Sequence, residues 1–387
     1  MGNLCKKTKS SFIKRKEEDE THPKNVYAYT LDGLKKNDSA GQDTHHMFGF
    51  ETDNTNIKFF GVYDGHGSYG KQASQSLAKL IEEYLKKNRT KIAKFTTRDM
   101  VAKNFETQYE IIQGVFAKDK DTMYEKSGSC AISCLIIDKH LYVINVGDSR
   151  AVIGSISSES KFAIQMSMDH KPNEADEYKR IINSGGEIQN SKTNSIGPPR
   201  IFKSGEYTPG LAVSRSFGDF VAHEVGVIEK PQVSYKILDV QDEFIALGSD
   251  GLYDVMSSLE VVGYIFEKLG DGLDKEQIVK DIVNEARKRW VILHKYKESK
   301  ENTLNEKLMK GNNDEDVNTP GTKTGNEDEK KGLNPSINDV KDPDKDTNTL
   351  GKDTTKDDNL DKNVDMAVMQ SANTHIDDIT CVICFFK

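Results

Sequence analysis

Short apolar runs alternate with helix-spaced apolar stripes between residues 25 and 296. The run at residues 59–63 predicts a strand. A helix is predicted after it, because apolar side chains recur on one helical face: Ala73, Leu77, Leu80, Ile81 and Tyr84. Further apolar runs lie at residues 130–137, 141–146 and 150–153. Their connections are short, which favours antiparallel neighbours, so we expect a three-stranded meander.

The last part of this pattern predicts a strand at residues 244–247 and two helices. Ser257 and Glu260 have the spacing of a capping box at the start of one helix. The other helix begins near Asp274. The apolar residues 379–386 at the C-terminus predict a strand that needs a sheet to join.

Residues 297–372 are rich in Asn, Asp, Lys, Glu, Thr and Gly, and they include no Phe, Tyr or Trp. Such a segment buries too little apolar surface to offset its ordering entropy. We therefore expect a disordered insertion within one domain at residues 25–387, which also accounts for the hydrophobic share of 35%. The insertion is either passive or locally regulatory, because long surface loops cost little closure entropy.

Residues 1–24 are polar and mostly charged, with Gly2 and Cys5 ahead of a group of lysines. Gly2 is positioned for myristoylation and Cys5 for palmitoylation, and acyl chains beside basic residues hold a protein on a membrane. The usual sequence pattern for myristoylation has Ser or Thr at position 6, where this chain has Lys6. A lipidated tail with peripheral membrane association and a plain basic tail therefore both stay open.

The net charge of −8 argues against general nucleic-acid binding, which needs a basic surface. No apolar run of about 18 residues predicts a membrane-spanning helix, and the N-terminus lacks a signal-peptide core. Five cysteines in 387 residues do not form a disulfide framework. We expect a cytoplasmic monomer, held on the cytoplasmic face of a membrane if the tail is lipidated.

Acidic residues stand at the ends of several predicted strands. Asp64 and Asp250 each follow a strand and precede a glycine, and Asp148 lies in a turn after another strand. Asp377 precedes the last strand, and Asp43 precedes the segment around residues 48–50. One such Asp-Gly pair is usually only a turn. Convergent carboxylates repel, however, and a divalent cation holds them together; the lack of Cys ligands favours Mg²⁺ or Mn²⁺ over zinc.

Seven sequence blocks extend this pattern from about residue 25 to residue 387, apart from the insertion. They are FGVYDGHG (60–67), SGSCA (127–131), NVGDSR (145–150), DHKP (169–172), LAVSRSFGD (211–219), LGSDGLYDVMS (247–257) and DDIT (377–380). Together they resemble, in the same order, the blocks of the metal-dependent serine/threonine protein phosphatases of type 2C (the PPM family). Seven blocks in order leave little room for chance.

The resemblance implies an α+β fold, a four-layer α/β/β/α sandwich of two antiparallel sheets flanked by helices. It implies hydrolysis of phosphoserine and phosphothreonine in phosphoprotein substrates by a water that bridges two Mg²⁺ or Mn²⁺ ions. Asp64 would bridge the ions and the Gly65 carbonyl would bind one of them. The other implied metal ligands are Asp250, Asp377 and, near the metals, Asp43.

The family pattern also implies a third, weaker ion at Asp148 and Asp254, and His66 as general acid.

No phosphoenzyme is required, so no nucleophilic Cys or Ser is needed. The spacing of Cys381 and Cys384 superficially suggests a redox pair. Residues three apart on a strand point to opposite faces, so we expect both to pack in the core.

Two positions depart from the family pattern. Many members have a phosphate-gripping arginine where this chain has Asp38, and many have Glu where it has Gln42. Gln can hydrogen-bond a metal-bound water but adds no charge, and a Gln-Asp version occurs in the family, so we expect activity. The alternatives are a catalytically weak pseudophosphatase and a membrane-tethered scaffold that acts through the insertion.

Overall fold

The computed structural model describes residues 23–33, 41–52, 55–119, 123–158, 160–190, 198–311 and 376–387. Nearly all of the predicted tail, with Gly2 and Cys5, lies outside these ranges, as does Asp38. Lipidation, location and the monomeric state therefore stay predictions. No helix in the described ranges is both long and apolar enough to cross a membrane.

The strands of the described residues are, in chain order, β1 (Val26–Leu31), β2 (Thr44–Thr52), β3 (Thr55–Tyr63), β4 (Gly65–His66), β5 (Gly128–Ser129), β6 (Ala131–Ile137), β7 (His140–Val146), β8 (Arg150–Ser157), β9 (Ser160–Gln165), β10 (Gly186–Asn190), β11 (Pro199–Lys203), β12 (Pro209–Leu211), β13 (Phe217–Gly218), β14 (Gln232–Ile237), β15 (Asp242–Gly248) and β16 (Ile379–Phe385). The α-helices are α1 (Gly70–Lys87), α2 (Arg89–Ile92), α3 (Arg98–Phe116), α4 (Ala175–Asn183), α5 (Phe220–His223), α6 (Asp250–Tyr253), α7 (Ser258–Gly270) and α8 (Lys275–Gly311). A 3₁₀ turn at Ala117–Asp119 follows α3.

Two five-stranded sheets form the centre of the molecule. Sheet A has the strand order β1-β16-β15-β8-β9, and sheet B has the order β14-β7-β6-β3-β2. Every neighbouring pair within them is antiparallel. Two three-stranded sheets are smaller, with the orders β10-β11-β12 and β13-β5-β4.

Three layers of apolar side chains hold these elements together. Between the sheets, Phe60 and Val62 of sheet B lie in one buried cluster with Val382 of sheet A. On the outer face of sheet B, α1 and α3 bury their apolar stripes in a second cluster. On the outer face of sheet A, α7 and the first part of α8 do the same. The predicted four-layer α+β sandwich is confirmed.

The chain passes from sheet B to sheet A directly after β7. Strand β6 pairs with β7 as predicted, but β8 pairs with β15 and β9. The predicted three-stranded meander is therefore wrong at its third strand. Residues 147–149 make the crossing, and Gly147 has the positive φ of 107° that suits glycine. The apolar pattern could not reveal this, because β6, β7 and most of β8 are buried and so look alike in sequence.

The C-terminal elements agree with their predicted positions more closely. Ser257 caps α7 and forms the predicted box with Glu260. Strand β16 lies between β1 and β15, so the terminal apolar run does join a sheet. Helix α8 continues to Gly311, past the predicted start of the insertion at residue 297, because Glu, Lys and Leu favour helix there. Residues 312–375 lie outside the described part of the chain.

Candidate metal centre and active site

Three aspartates meet where strands of both sheets end. Asp64 lies between β3 and β4, Asp250 opens α6 behind β15, and Asp148 lies in the crossing between the sheets. Each offers a carboxylate oxygen within 4.8 Å of those of the other two. The sequence-based interpretation kept Asp148 for a third ion, but its carboxylate stands among those of Asp64 and Asp250.

The remaining predicted acids lie close enough to act on this cluster electrostatically. Asp377 raises the pKa of both Asp64 and Asp250, and Asp43 also raises that of Asp64. Asp254 raises the pKa of Asp250. The structure therefore brings together all of the aspartates that the sequence placed at strand ends, and Asp254.

Burial is the main reason that these carboxyl groups resist ionisation. It raises the pKa of Asp64, and the charge of Asp250 raises it further. Burial raises the pKa of Asp43 and Asp250 as well, and the strongest neighbouring charges on them are Asp378 and Asp377 respectively. The clustered charge is costly unless a cation offsets it.

The donor atoms of the cluster fit a hard divalent cation. Asp43 Oδ2 and Asp250 Oδ1 are buried and have no hydrogen-bond partner among the described residues. Buried polar atoms without partners are uncommon in folded proteins, and a bound ion is one arrangement that satisfies them. Because the convergent donors are carboxylate oxygens, Mg²⁺ or Mn²⁺ suits them better than a thiolate-preferring metal does.

Asp148 already has two protein partners. Lys171 Nζ donates to Asp148 Oδ2, and the Cys130 thiol contacts Oδ1 at 3.4 Å. Burial lowers the pKa of Lys171, but the Asp148 carboxylate outweighs burial and leaves the pKa raised. Lys171 is therefore a fixed positive charge at the edge of the cluster. Lys171 belongs to the sequence block at residues 169–172, but nothing in that block indicates that Lys171 contacts Asp148.

His66 is held by an aspartate from a distant segment. Its Nε2 lies 2.6 Å from Asp219 Oδ2, and its side chain is 26% exposed. Burial lowers the pKa of His66, but the charge and hydrogen bond of Asp219 raise it above its usual value. Ser216 Oγ donates to the same Asp219 oxygen at 2.6 Å, which fixes the carboxylate. The sequence pattern does not indicate this role of Asp219, because 153 residues separate it from His66.

Asp378 fixes the segment that carries Asp43. Its two carboxylate oxygens accept hydrogen bonds from the backbone N–H of Gly33 (2.5 Å) and of Gln42 (2.6 Å). The Gln42 side chain donates from Nε2 to the Gly67 carbonyl at 2.6 Å. Gln42 therefore ties two site loops together. The family resemblance implies a ligand role for Asp377 but indicates none for its neighbour Asp378.

Gly65 is required by a close backbone approach. A Cβ there would stand 2.1 Å from the carbonyl oxygen of Gly70, the first residue of α1. A Cβ on Gly70 would stand 2.6 Å from the Gly65 carbonyl carbon. The start of α1 thus packs directly on the segment that follows Asp64.

The chain is similar in sequence to one protein family over most of its described length. The sequence model of the family described as Protein phosphatase 2C matches residues 27–292. A "Probable protein phosphatase 2C 34" of Arabidopsis thaliana is 29% identical over 243 residues, which cover 60% of this chain and 66% of the relative. A "Probable protein phosphatase 2C 73" of Oryza sativa subsp. japonica is 28% identical and covers 75% of this chain and 76% of the relative. The chain belongs to the protein phosphatase 2C family.

Solved structures agree with the fold. A serine-threonine phosphatase 2C from Toxoplasma gondii superposes with a TM-score of 0.60 at 17% identity and covers 94% of both chains. At this identity the likeness shows the shared sandwich alone. The match spans only 66% of the length of the Arabidopsis relative and 65% of the length of a second Arabidopsis relative, also called "Probable protein phosphatase 2C 73". Activity and substrates are therefore matters of proposal.

Proposed function

We propose that this protein is a metal-dependent phosphatase that hydrolyses phosphoserine and phosphothreonine in other proteins. The observation that carries the proposal is the buried cluster in which oxygens of Asp64, Asp148 and Asp250 lie within 4.8 Å of one another. Membership of the protein phosphatase 2C family supports the same reaction.

Asp64 and Asp250, with Asp43, Asp377 and the Gly65 carbonyl, are the groups that would hold two Mg²⁺ or Mn²⁺ ions. When bound, such ions supply an acidified water at neutral pH and offset charge on the phosphoryl oxygens. Asp148 and Asp254 would hold a third, weaker ion. Because Lys171 already pairs with Asp148, we expect that ion to bind less tightly than the other two.

His66 is the proton donor that the proposed reaction needs. An alkoxide leaving group of serine or threonine requires a proton as its bond to phosphorus breaks. The Asp219 carboxylate, 2.6 Å from Nε2, keeps His66 protonated to a higher pH than an isolated histidine. The partial exposure of His66 leaves its ring accessible to substrate.

The nearby thiol does not fit a covalent mechanism. Burial raises the pKa of Cys130 well above its usual value, and the charge of Asp148 raises it further. Its thiol is therefore protonated and a poor nucleophile. Cys381 and Cys384 are buried and lie in different apolar clusters, as expected for core residues. Direct attack by water is the mechanism that these groups support.

The pseudophosphatase hypothesis is less consistent with the retained acids. A chain that no longer binds metal has no need to keep Asp43 and Asp250 buried with unpartnered oxygens. Gln42 retains a structural contact with Gly67 in place of the Glu found in many relatives.

Hydrolysis of a phosphothreonine peptide tests the proposal. We expect turnover that requires Mn²⁺ or Mg²⁺, stops with EDTA and is lost in Asp64→Asn. Asp271→Asn, an exposed residue at the end of α7, is the matched control and should retain full activity. Folded, metal-supplied protein without turnover would favour the pseudophosphatase hypothesis.

A further inference from the structure

A groove lies between α1 and α3, on the outer side of the helices that cover sheet B. It has a volume of about 780 Å³. Its apolar lining residues are Leu80 and Tyr84 of α1, Met100 and Ile111 of α3, and Phe95 between the helices. Met100 and Ile111, about three turns apart on the same face of α3, are 43% and 56% exposed.

The groove is formed by two regular stripes rather than by chance exposure. On α1 its lining residues are spaced i, i+3, i+4 and i+7, and on α3 they are spaced i, i+3, i+4, i+7, i+8 and i+11. These spacings place side chains on one helical face. The adjacent faces of the same helices carry Leu77, Ile81 and Phe105 into the core, and Leu80 and Tyr84 also pack against that core. Each helix thus has a buried apolar stripe and, beside it, a mixed polar and apolar stripe that lines the groove.

The rim of the groove is basic although the chain has a net charge of −8. Lys87, Lys91 and Lys103 line it, against a single carboxylate, that of Glu83. Within the described part of the chain, none of these three lysines pairs with an acid, whereas Glu83 faces Lys79 at 3.9 Å. The rim therefore carries uncompensated positive charge around an apolar floor.

We propose that this groove binds an acidic amphipathic helix of a partner protein. Apolar residues of such a helix, spaced i, i+3, i+4 and i+7, would lie on Leu80, Tyr84 and Ile111. Acidic residues beside them would pair with the three rim lysines. An elongated channel between two helices fits a peptide helix better than a small ligand, which requires an enclosing pocket with convergent polar groups. This surface is separate from the proposed metal centre, so the binding does not depend on the proposed hydrolysis.

The test uses the full chain and a fluorescein-labelled peptide, Leu-Glu-Asp-Leu-Leu-Asp-Glu-Phe-Glu-Glu, whose apolar residues have the spacing i, i+3, i+4 and i+7, followed by anisotropy. The control peptide carries Lys in place of every acid. We expect saturable binding of the acidic peptide, weakened by salt, and none of the basic one. No saturable binding of the acidic peptide to the wild-type chain would overturn the proposal.

Three variants locate the binding. Lys91→Glu/Lys103→Glu reverses the rim charge and should weaken binding by about tenfold or more. Lys139→Glu/Lys179→Glu makes the same charge change at exposed positions outside the groove and should leave binding within about twofold. Ile111→Ser should weaken binding through the apolar floor without a charge change. Equal binding by the rim variant and its control would contradict the proposed site.

Sedimentation velocity separates a partner protein from a second copy of this chain. We expect a monomer at all concentrations used for anisotropy. A wild-type dimer that dissociates in Lys91→Glu/Lys103→Glu would show that the groove serves self-association, and it would overturn the proposal of an acidic partner helix.

Discussion

The Asp219 carboxylate contacts His66, which is 153 residues away in the sequence, and Lys171 contacts Asp148, which is 23 residues away. Both partners stand in sequence blocks that were recognised, but their contacts could not be predicted. A motif shows which residue types occur, whereas a contact depends on how distant loops meet. The ligand acids were different, because each stands at the end of an apolar run that could itself be predicted.

Asp219→Asn tests the positioning of His66. Without the carboxylate, the pKa of His66 should fall, and the loss of activity at high pH should begin at lower pH. We expect kcat for a phosphothreonine peptide to fall about 10- to 100-fold. Hydrolysis of 4-nitrophenyl phosphate, whose leaving group needs no proton, should fall far less. Equal losses on both substrates would argue against a proton-donating role for His66.

Glu177 holds the segment around α4 through charge. Burial raises its pKa, but Arg180, Arg215 and Ser214 outweigh burial and leave the pKa well below the usual 4.5. Glu177→Gln should destabilise the fold by about 3 kcal/mol at neutral pH, because two partly buried arginines lose their carboxylate partner. Glu174→Gln is the control, because Glu174 is exposed and its side chain makes no capping hydrogen bond to α4. Urea unfolding measures both.

The stabilisation from Glu177 also has a predictable pH dependence. Since its folded pKa is depressed, the ionised form stabilises the fold above pH 4.5. Below that pH the unfolded chain takes up the proton first, and the contribution declines. The difference between wild type and Glu177→Gln should therefore shrink as pH falls below 4.5. A constant difference would contradict the assignment.

At the scale of elements, periodicity predicted most helices and strands, and capping chemistry predicted the start of α7. The pairing of β8 was not predictable, because buried strands show no face preference. The contact of α1 with β4 was not predictable either, although this contact positions the segment beside Asp64. That contact depends on two glycines that are close in space but carry no periodic signal.

Gly70→Ala tests this contact. The new Cβ would stand 2.6 Å from Gly65 and force the backbone beside Asp64 to shift. We expect the Mn²⁺ concentration for half-maximal activity to rise about tenfold. Gly114→Ala, on α3, meets nothing within 4 Å and should leave this concentration unchanged. It should also stabilise the fold by about 0.5–1 kcal/mol, since Ala favours helix.

At the scale of the whole molecule, the strand after the long insertion completes the sandwich. Sequence analysis predicted that this strand needs a sheet, but not that it lies between β1 and β15. The stacking of two sheets came only from the family resemblance. Strand periodicity alone cannot show which buried face meets which, because apolar packing is non-directional.

Val382→Ala tests the importance of packing between the sheets. Val382 is fully buried between them, and its loss of methyl groups should cost about 2–3 kcal/mol in unfolding free energy. Val240→Ala, at a position 84% exposed, should change stability by less than about 0.5 kcal/mol. Similar effects of the two substitutions in urea unfolding would contradict this account of the core.

Calorimetric titration of the metal-free protein with Mn²⁺ tests the central claim most directly. The account predicts saturable binding that Asp64→Asn and Asp250→Asn each weaken by about tenfold or more, while Asp271→Asn leaves it unchanged. Absence of binding to folded wild-type protein, or equal binding by Asp64→Asn, would contradict the assignment of this carboxylate cluster as a metal centre.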